Sequence, residues 1–182
     1  MLILTAGILL WSAAHLLKRL APDFRARLGN AGRLVVTVMV IAALILMIQG
    51  YPLAKGPVWW GRQTALVGLN NLLVYLGFYF IAASAVGARV KGVLRHPQLT
   101  AVSLWAFAHL LVNGDAPSLL LFGGLLLWAI VSVGLINHQD GKPALPKPVH
   151  SLFREIMAIA IALALYGVVA YLHGMLGYPV HG

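Results

Sequence analysis

The chain has 182 residues, of which 61% are hydrophobic and only 9% are charged; its formal net charge is +9 and it contains no cysteine. A soluble domain normally carries about 25% charged residues, so this chain has too few charges to cover its surface against water. The composition therefore indicates an integral membrane protein with a single domain over residues 1–182. The lack of cysteine excludes disulfides, thiolate metal sites and cysteine nucleophiles.

Six apolar runs follow one another along the sequence, each near the roughly 20 residues that a helix needs to cross a bilayer. In chain order they are Leu2–Leu17, Leu34–Leu53, about Leu66–Ala88, Pro97–Val112, Ser118–Ile136 and Ile156–Leu172. The first, fourth and sixth runs are the short ones. The sequence therefore predicts an all-α fold, a polytopic integral membrane bundle of six transmembrane helices surrounded by membrane lipid.

Basic residues lie in the loops between these runs, and their distribution predicts an orientation. If the first loop is cytoplasmic, only Lys55 and Arg62 lie on the outer side. The cytoplasmic side then holds Lys18, Arg19, Arg25, Arg27, Arg33, Arg89, Lys91, Arg95, Lys142, Lys147 and Arg154. This bias predicts both termini on the outer, periplasmic side. Because the charge lies in short loops, as an orientation signal does, it argues against nucleic-acid binding.

Two of the seven histidines lie inside apolar runs and share a local pattern. His15 follows Trp11 by four residues, and His109 follows Trp105 by four, so each indole lies on the same helix face as its histidine. Burying an imidazole in hydrocarbon is costly unless a partner binds it, so an intramembrane histidine indicates a functional site by default. Tryptophan, neighbouring alanines and histidine on one face suit a large flat apolar ligand whose metal the imidazole binds.

The four acidic residues lie near or beyond the ends of the apolar runs, which leaves no buried carboxylate to pair with either histidine. Without cysteine or buried carboxylates an all-protein zinc or di-iron site is disfavoured, whereas haem needs only one or two axial histidines. We therefore predict haem held by His15 and His109, with Trp11 and Trp105 beside it. The two histidines differ in depth by on the order of 10 Å, which is awkward for one haem. The alternative, in which each histidine only hydrogen-bonds a neighbouring helix, stays open.

His96 is a third candidate because it precedes Pro97, which fits the first position of a helix. It would then lie at the cytoplasmic surface, beside Arg95 and a helix N-terminus that both favour an anion such as a haem propionate or a lipid phosphate. By depth His96 could replace His109 as the partner of His15, and a capping role is the alternative. Weaker candidates near the ligand are Asn113, Tyr75, Tyr79, Asn70 and Asn71. The remaining histidines are predicted to be solvated in loops or the tail: His138, His150, His173 and His181.

The string from Arg95 to Asp115, with its His-Pro, Leu-Trp-Ala, Ala-His-Leu-Leu and Asn-Gly-Asp, resembles the NnrU membrane protein family. Residues 119–124, residues 127–129 and His15 extend the likeness. The resemblance implies a multi-pass protein of the bacterial inner membrane that is linked to denitrification and nitric oxide reductase. Plant relatives are 15-cis-zeta-carotene isomerase, a haem b enzyme whose ligand positions match His15 and His109. The isomerase has a cysteine where this chain has Ala106.

Four functions are compatible with these observations. The first is a haem-binding membrane protein with a redox or nitric-oxide-related role, and the second is a haem-dependent cis-trans isomerase of an apolar polyene. The third is a non-catalytic assembly factor for a nitric oxide reductase. The fourth is a membrane methyltransferase, since Arg-His-Pro also precedes a helix in isoprenylcysteine and phospholipid methyltransferases. Those enzymes carry further acidic residues that bind their cofactor, whereas only Glu155 follows the motif here on the cytoplasmic side.

Overall fold

A computed structural model describes residues 1–141, 145–147 and 151–180, and these residues form helices and loops without a named strand. The helices are α1 (Leu2–Leu20), α2 (Pro22–Arg27), α3 (Ala31–Leu53), α4 (Thr64–Val86), α5 (Pro97–Val112), α6 (Ala116–Ser118), α7 (Gly124–Asp140) and α8 (Leu152–Met175). A 3₁₀ turn covers Arg89–Gly92, and a π-helical segment, Leu119–Gly123, joins α6 to α7. The prediction of an all-α fold is confirmed. The predicted loop and tail positions of Lys142, His150 and His181 lie outside the described residues.

Five helical stretches among the described residues are long and apolar enough to cross a membrane. They are α1, α3, α4, α8 and the continuous stretch Ala116–Asp140, which comprises α6, the π-helical segment and α7. The chain is therefore a multi-pass helical membrane protein. Helix α5 is apolar but has only 16 residues. At 1.5 Å per residue it is about 24 Å long, less than a hydrocarbon core of about 30 Å, so a sixth span stays a prediction, as does the orientation.

The two ends of the bundle differ in chemistry. At the first, which we call the basic end, the guanidinium of Arg19 donates to both carboxylate oxygens of Asp140, at 2.6 and 2.9 Å, and joins the last turns of α1 and α7. At the second, which we call the tryptophan end, the backbone of Trp59 and Trp60 pairs with Gly114. The indole N–H of Trp60 also donates to the carbonyl of Leu110 at 2.9 Å, which satisfies a free carbonyl in the last turn of α5.

Helices α1 and α3 cross at close range because glycines lie at their contact. A Cβ atom at Gly50 would lie 2.6 Å from the backbone nitrogen of Leu4, and one at Gly7 would lie 2.9 Å from the backbone nitrogen of Met47. Small residues at such positions let two membrane helices approach until their backbones touch. Leu4 is fully buried at this crossing, which therefore forms the tightest part of the core on the α1 side.

Helix α8 packs chiefly on α4, and it is buried only in its half nearer the basic end. Ala158 and Ala162 are fully buried against α4, as expected for a small-residue stripe. Glu155 accepts hydrogen bonds from the hydroxyl of Tyr79 at 2.8 Å and from the backbone N–H of Arg89 at 2.9 Å. Beyond Ala162, every residue of α8 is at least partly exposed, so the helix is packed loosely toward the tryptophan end.

The joint between α4 and α8 should depend on Glu155. We expect Glu155→Ala to lower the free energy of unfolding by about 1–2 kcal/mol, because two hydrogen bonds to a partly exposed carboxylate are lost. Thermal unfolding of the purified protein in detergent measures this change. Asp23→Ala is the matched control, since it removes an exposed carboxylate at the same end of the bundle. Equal melting temperatures for the two variants would contradict a structural role for Glu155.

Candidate functional site

Three helix histidines share one hydrogen-bond geometry. The Nδ1 atoms of His15, His109 and His173 lie 2.8–2.9 Å from the backbone carbonyl oxygen four residues earlier. A carbonyl only accepts, so Nδ1 carries the proton in each neutral ring and Nε2 keeps its lone pair. This is the tautomer that binds a metal through Nε2, with the bond at Nδ1 holding the ring in place. Each of the three rings is thus prepared to act as a ligand.

His109 lies in the last turn of α5, inside a group of aromatic rings. Its ring stacks on Phe122, with centroids 4.5 Å apart and an interplanar angle of 27°. The ring of Trp105 lies 5.0 Å away, which confirms that the indole shares a face with the histidine. The side-chain amide of Asn113 donates to the carbonyl of His109 at 2.9 Å. The imidazole is therefore fixed by packing on two sides and by hydrogen bonds along its own helix.

A cavity of about 440 Å³ lies beside His109, and we call it the tryptophan-end cavity. This volume is within the range of small-molecule sites, about 300–1,000 Å³. Leu44 and Ile48 of α3 form one margin and are themselves 42% and 67% exposed, so the cavity is open toward the apolar surface of the bundle. The lining is mostly apolar, and its polar members are Tyr51, His109, Asn113, His173 and Tyr178.

The wall behind this cavity is held by a short hydrogen-bonded chain. Asp115 accepts from the backbone N–H of Ser118 at 2.9 Å and from its hydroxyl at 2.7 Å. Tyr51 in turn donates to the hydroxyl oxygen of Ser118 at 2.7 Å. The aspartate of the Asn-Gly-Asp string is therefore a helix cap that supports the wall. The π-helical segment begins after Ser118 and carries Phe122 onto His109, and such π turns are frequent at functional sites.

His173 corrects a prediction, because its position after the last apolar run indicated a solvated outer tail. Helix α8 continues to Met175, so His173 lies on its last turn and is only partly exposed. It lines the tryptophan-end cavity and also a smaller cavity of about 50 Å³, and His109 lines both. The sequence does contain a signal for this: Tyr166, Val169, Ala170 and His173 have the spacing of one helix face, and all four line the smaller cavity.

His15 lies at the opposite end of the bundle from His109. Its ring packs against Trp11 at 4.1 Å and Trp128 at 5.0 Å, and it lines a cavity of about 280 Å³. This cavity shares no lining residue with the tryptophan-end cavity. The structure therefore does not bring the predicted ligand pair together. The reason is topological: both histidines lie near the C-termini of their helices, and α1 and α5 run in opposite directions.

His96 also lies at the basic end. It is the N-cap residue of α5, as predicted, and its Nε2–H donates to the side-chain oxygen of Asn137 at 3.0 Å. It lines a cavity of about 500 Å³ together with Lys91 and Arg95. That cavity shares Gln98, Leu99 and Ile136 with the cavity of His15, and it has no lining residue in common with the cavity beside His109. His96 and His15 thus lie at the same end of the bundle, in cavities with a common wall, and the pairing of His96 with His15 stays a prediction. The basic side chains beside His96 suit an anion at the surface.

The weaker candidates divide between the two ends. Tyr79 hydrogen-bonds Glu155 near the basic end, and Tyr75 packs its ring against Tyr166 at 6.4 Å. Asn70 and Asn71 line the small cavity that His109 and His173 share. In the part of the chain that the structure describes, no group of three or more histidine, aspartate or glutamate residues is placed to hold a metal ion. Haem carries its own iron in the porphyrin, so it needs only one or two histidine ligands from the protein.

The fold and the cavity define a class: a multi-pass helical membrane protein with an apolar site between its helices, facing a fixed histidine. The sequence matches the family model described as NnrU protein over residues 3–180. The chain therefore belongs to the NnrU family, which confirms the resemblance carried by the Arg95–Asp115 string. No curated protein and no solved structure gives a match to the chain.

Proposed function

We propose that this NnrU-family protein binds haem b in the tryptophan-end cavity, with His109 as an axial ligand. The observation that carries the proposal is the state of the His109 ring: its Nδ1–H is bonded to the carbonyl of Trp105, and its Nε2 lone pair is left for a metal. The ring also lines a largely apolar cavity of about 440 Å³. An imidazole in such surroundings is costly to keep without a partner.

The residues around the cavity fit the chemistry of haem. The macrocycle is flat and apolar, and the lining offers aliphatic side chains from α3 together with the rings of Trp105 and Phe122. The chain has no cysteine, so it cannot form the thioether bonds of a c-type haem, and the ligands that the cavity offers are imidazole nitrogens, which suits a b-type haem. Arg62 donates to the carbonyl of Pro179 at 2.8 Å, beside Tyr178 on the cavity margin, and its charge suits the carboxylates of the haem edge.

The bound haem would supply an iron centre that exchanges one electron, or that takes a small ligand such as nitric oxide in place of one protein ligand. The protein's own residues do the rest. Trp105 fixes the orientation of His109 through its carbonyl, and Phe122 prevents the imidazole from rotating. The aliphatic wall excludes water. With α5 as a sixth span and the basic end in the cytoplasm of a bacterium, the cavity lies toward the periplasmic half of the inner membrane.

A second candidate function is the cis-trans isomerisation of an apolar polyene. It is favoured by the margin of the cavity, where Leu44 and Ile48 are exposed on the apolar surface of α3. A long hydrocarbon dissolved in the bilayer could enter there without crossing water. Turnover of cis-polyenes by the haem-loaded protein would select this function, and its absence would favour the redox role.

The test of the proposed function is the visible spectrum of the purified protein. We expect a Soret band after expression with ample haem, a b-type pyridine haemochrome spectrum and about one haem per chain. The spectrum is recorded before and after dithionite. Protein that is folded by circular dichroism but has no Soret band would refute the proposal. If such protein co-purifies with nitric oxide reductase subunits, the assembly-factor role replaces it.

A further inference from the structure

We infer that the second axial ligand of the haem is His173, in place of His15 or His96. This inference rests on the proposed function and deepens it. His173 and His109 line the same two cavities, of about 440 and 50 Å³. His15 and His96 line other cavities, at the basic end of the bundle. A pair of ligands to one iron must line a common cavity, and the predicted pair does not.

The two rings are prepared in the same way. The Nδ1–H of His173 donates to the carbonyl of Val169 at 2.9 Å, just as that of His109 donates to the carbonyl of Trp105 at 2.8 Å. Both Nε2 lone pairs are therefore free of helix hydrogen bonds. The depths agree as well, because α5 and α8 both end at the tryptophan end. The depth mismatch that made His15 an awkward partner of His109 does not arise for His173.

The packing of α8 gives an independent reason. Its half nearer the basic end is buried on α4, whereas its tryptophan-end half has no fully buried residue. The chain beyond the helix is still held in place, since Asn71 donates to the carbonyl of Val180 at 3.1 Å and Arg62 to that of Pro179 at 2.8 Å. The cavity directly between α8 and α5 measures only about 50 Å³, so the space for a flat ligand is the tryptophan-end cavity of about 440 Å³. These contacts hold His173 in the lining of that larger cavity, on a part of α8 that is not tightly packed.

The experiment compares the spectra of His173→Ala and His15→Ala with that of the wild type. We expect low-spin, six-coordinate haem in the wild type and in His15→Ala, by visible absorption and electron paramagnetic resonance. His173→Ala should keep its haem but become high-spin, because His109 is fixed between Trp105 and Phe122 and can hold the iron alone. His173 lies on the loosely packed end of α8 and cannot do the same for His109→Ala. Added imidazole should restore the low-spin spectrum, which a general loss of structure would not allow. His173→Met, which supplies a different axial ligand, should stay six-coordinate with a raised reduction potential.

The outcomes separate this inference from the proposed function. A wild-type protein without a Soret band overturns both. A wild-type haem that is already high-spin and five-coordinate overturns only the role of His173, as does a His173→Ala spectrum identical to that of the wild type. If His15→Ala becomes high-spin and His173→Ala does not, the second ligand is His15 on α1 and the inference is wrong.

Discussion

His109→Ala should remove haem from the protein, while His15→Ala should leave it bound. His109 is the ring whose Nε2 is free beside the tryptophan-end cavity, so its loss takes away the ligand on which binding depends. Changes to groups that only support a metal ligand commonly cost 10–100-fold in metal affinity, so loss of a ligand itself should lower the haem content at least about tenfold. The measurement is haem per chain, from the pyridine haemochrome spectrum and the protein concentration.

His15→Ala is a closely matched control. His15 has the same tryptophan four residues earlier and the same hydrogen bond from Nδ1 to its carbonyl, at 2.9 Å. It differs in lining the cavity at the basic end. Equal loss of haem in both variants would contradict the prediction. It would mean that one haem contacts both histidines or that each end of the bundle binds a separate haem. Full retention of haem in both variants would exclude His109 as a ligand.

The sequence predicted the local geometry of these two histidines but not their relation to each other. A spacing of four residues places indole and imidazole on one face, and the ring distances of 4.1 and 5.0 Å confirm this. The spacing contains no information about which helices pack together. The direction of each helix and its position in the bundle decide that, and they depend on contacts between residues far apart in sequence.

Helix ends were predictable where a strong local signal marks them. Pro97 and Asn113 bound α5, and its predicted limits agree with the structure. No proline or charged residue follows Leu172 before Pro179, so the end of the apolar run was a poor guide and helix α8 extends to Met175. Because the helix is about one turn longer than predicted, His173 belongs to α8 and lines a cavity instead of lying in the tail.

The roles of the polar residues were harder to predict than the helices. Tyr79 was a candidate near the ligand, but it binds Glu155 and joins α4 to α8. Asp115, at the end of the Arg95–Asp115 string, binds Ser118 and caps the helix that follows. In an apolar bundle a few hydrogen bonds fix the positions of the helix ends, and the partner in each bond lies on another turn or another helix. A single sequence shows which groups must find partners but not which partners they find.

The crossing of α1 and α3 should be the most sensitive point of the scaffold. We expect Gly50→Ala to lower the free energy of unfolding by about 3 kcal/mol, because its Cβ would lie 2.6 Å from the backbone nitrogen of Leu4. A backbone atom cannot move aside as a flexible side chain can, so the two helices must separate. The measurement is thermal unfolding in detergent, followed by circular dichroism.

Gly134→Ala is the control for this prediction, since a Cβ there meets nothing within 4 Å and alanine favours a helix by up to about 1 kcal/mol. Its melting temperature should equal or exceed that of the wild type. Equal melting temperatures for the two variants would show that the crossing can relax. Gly50 also precedes Tyr51, whose hydroxyl holds Ser118 in the cavity wall. Separation of α1 from α3 should therefore weaken haem retention as well, which links the stability of this crossing to the site at the same end of the bundle.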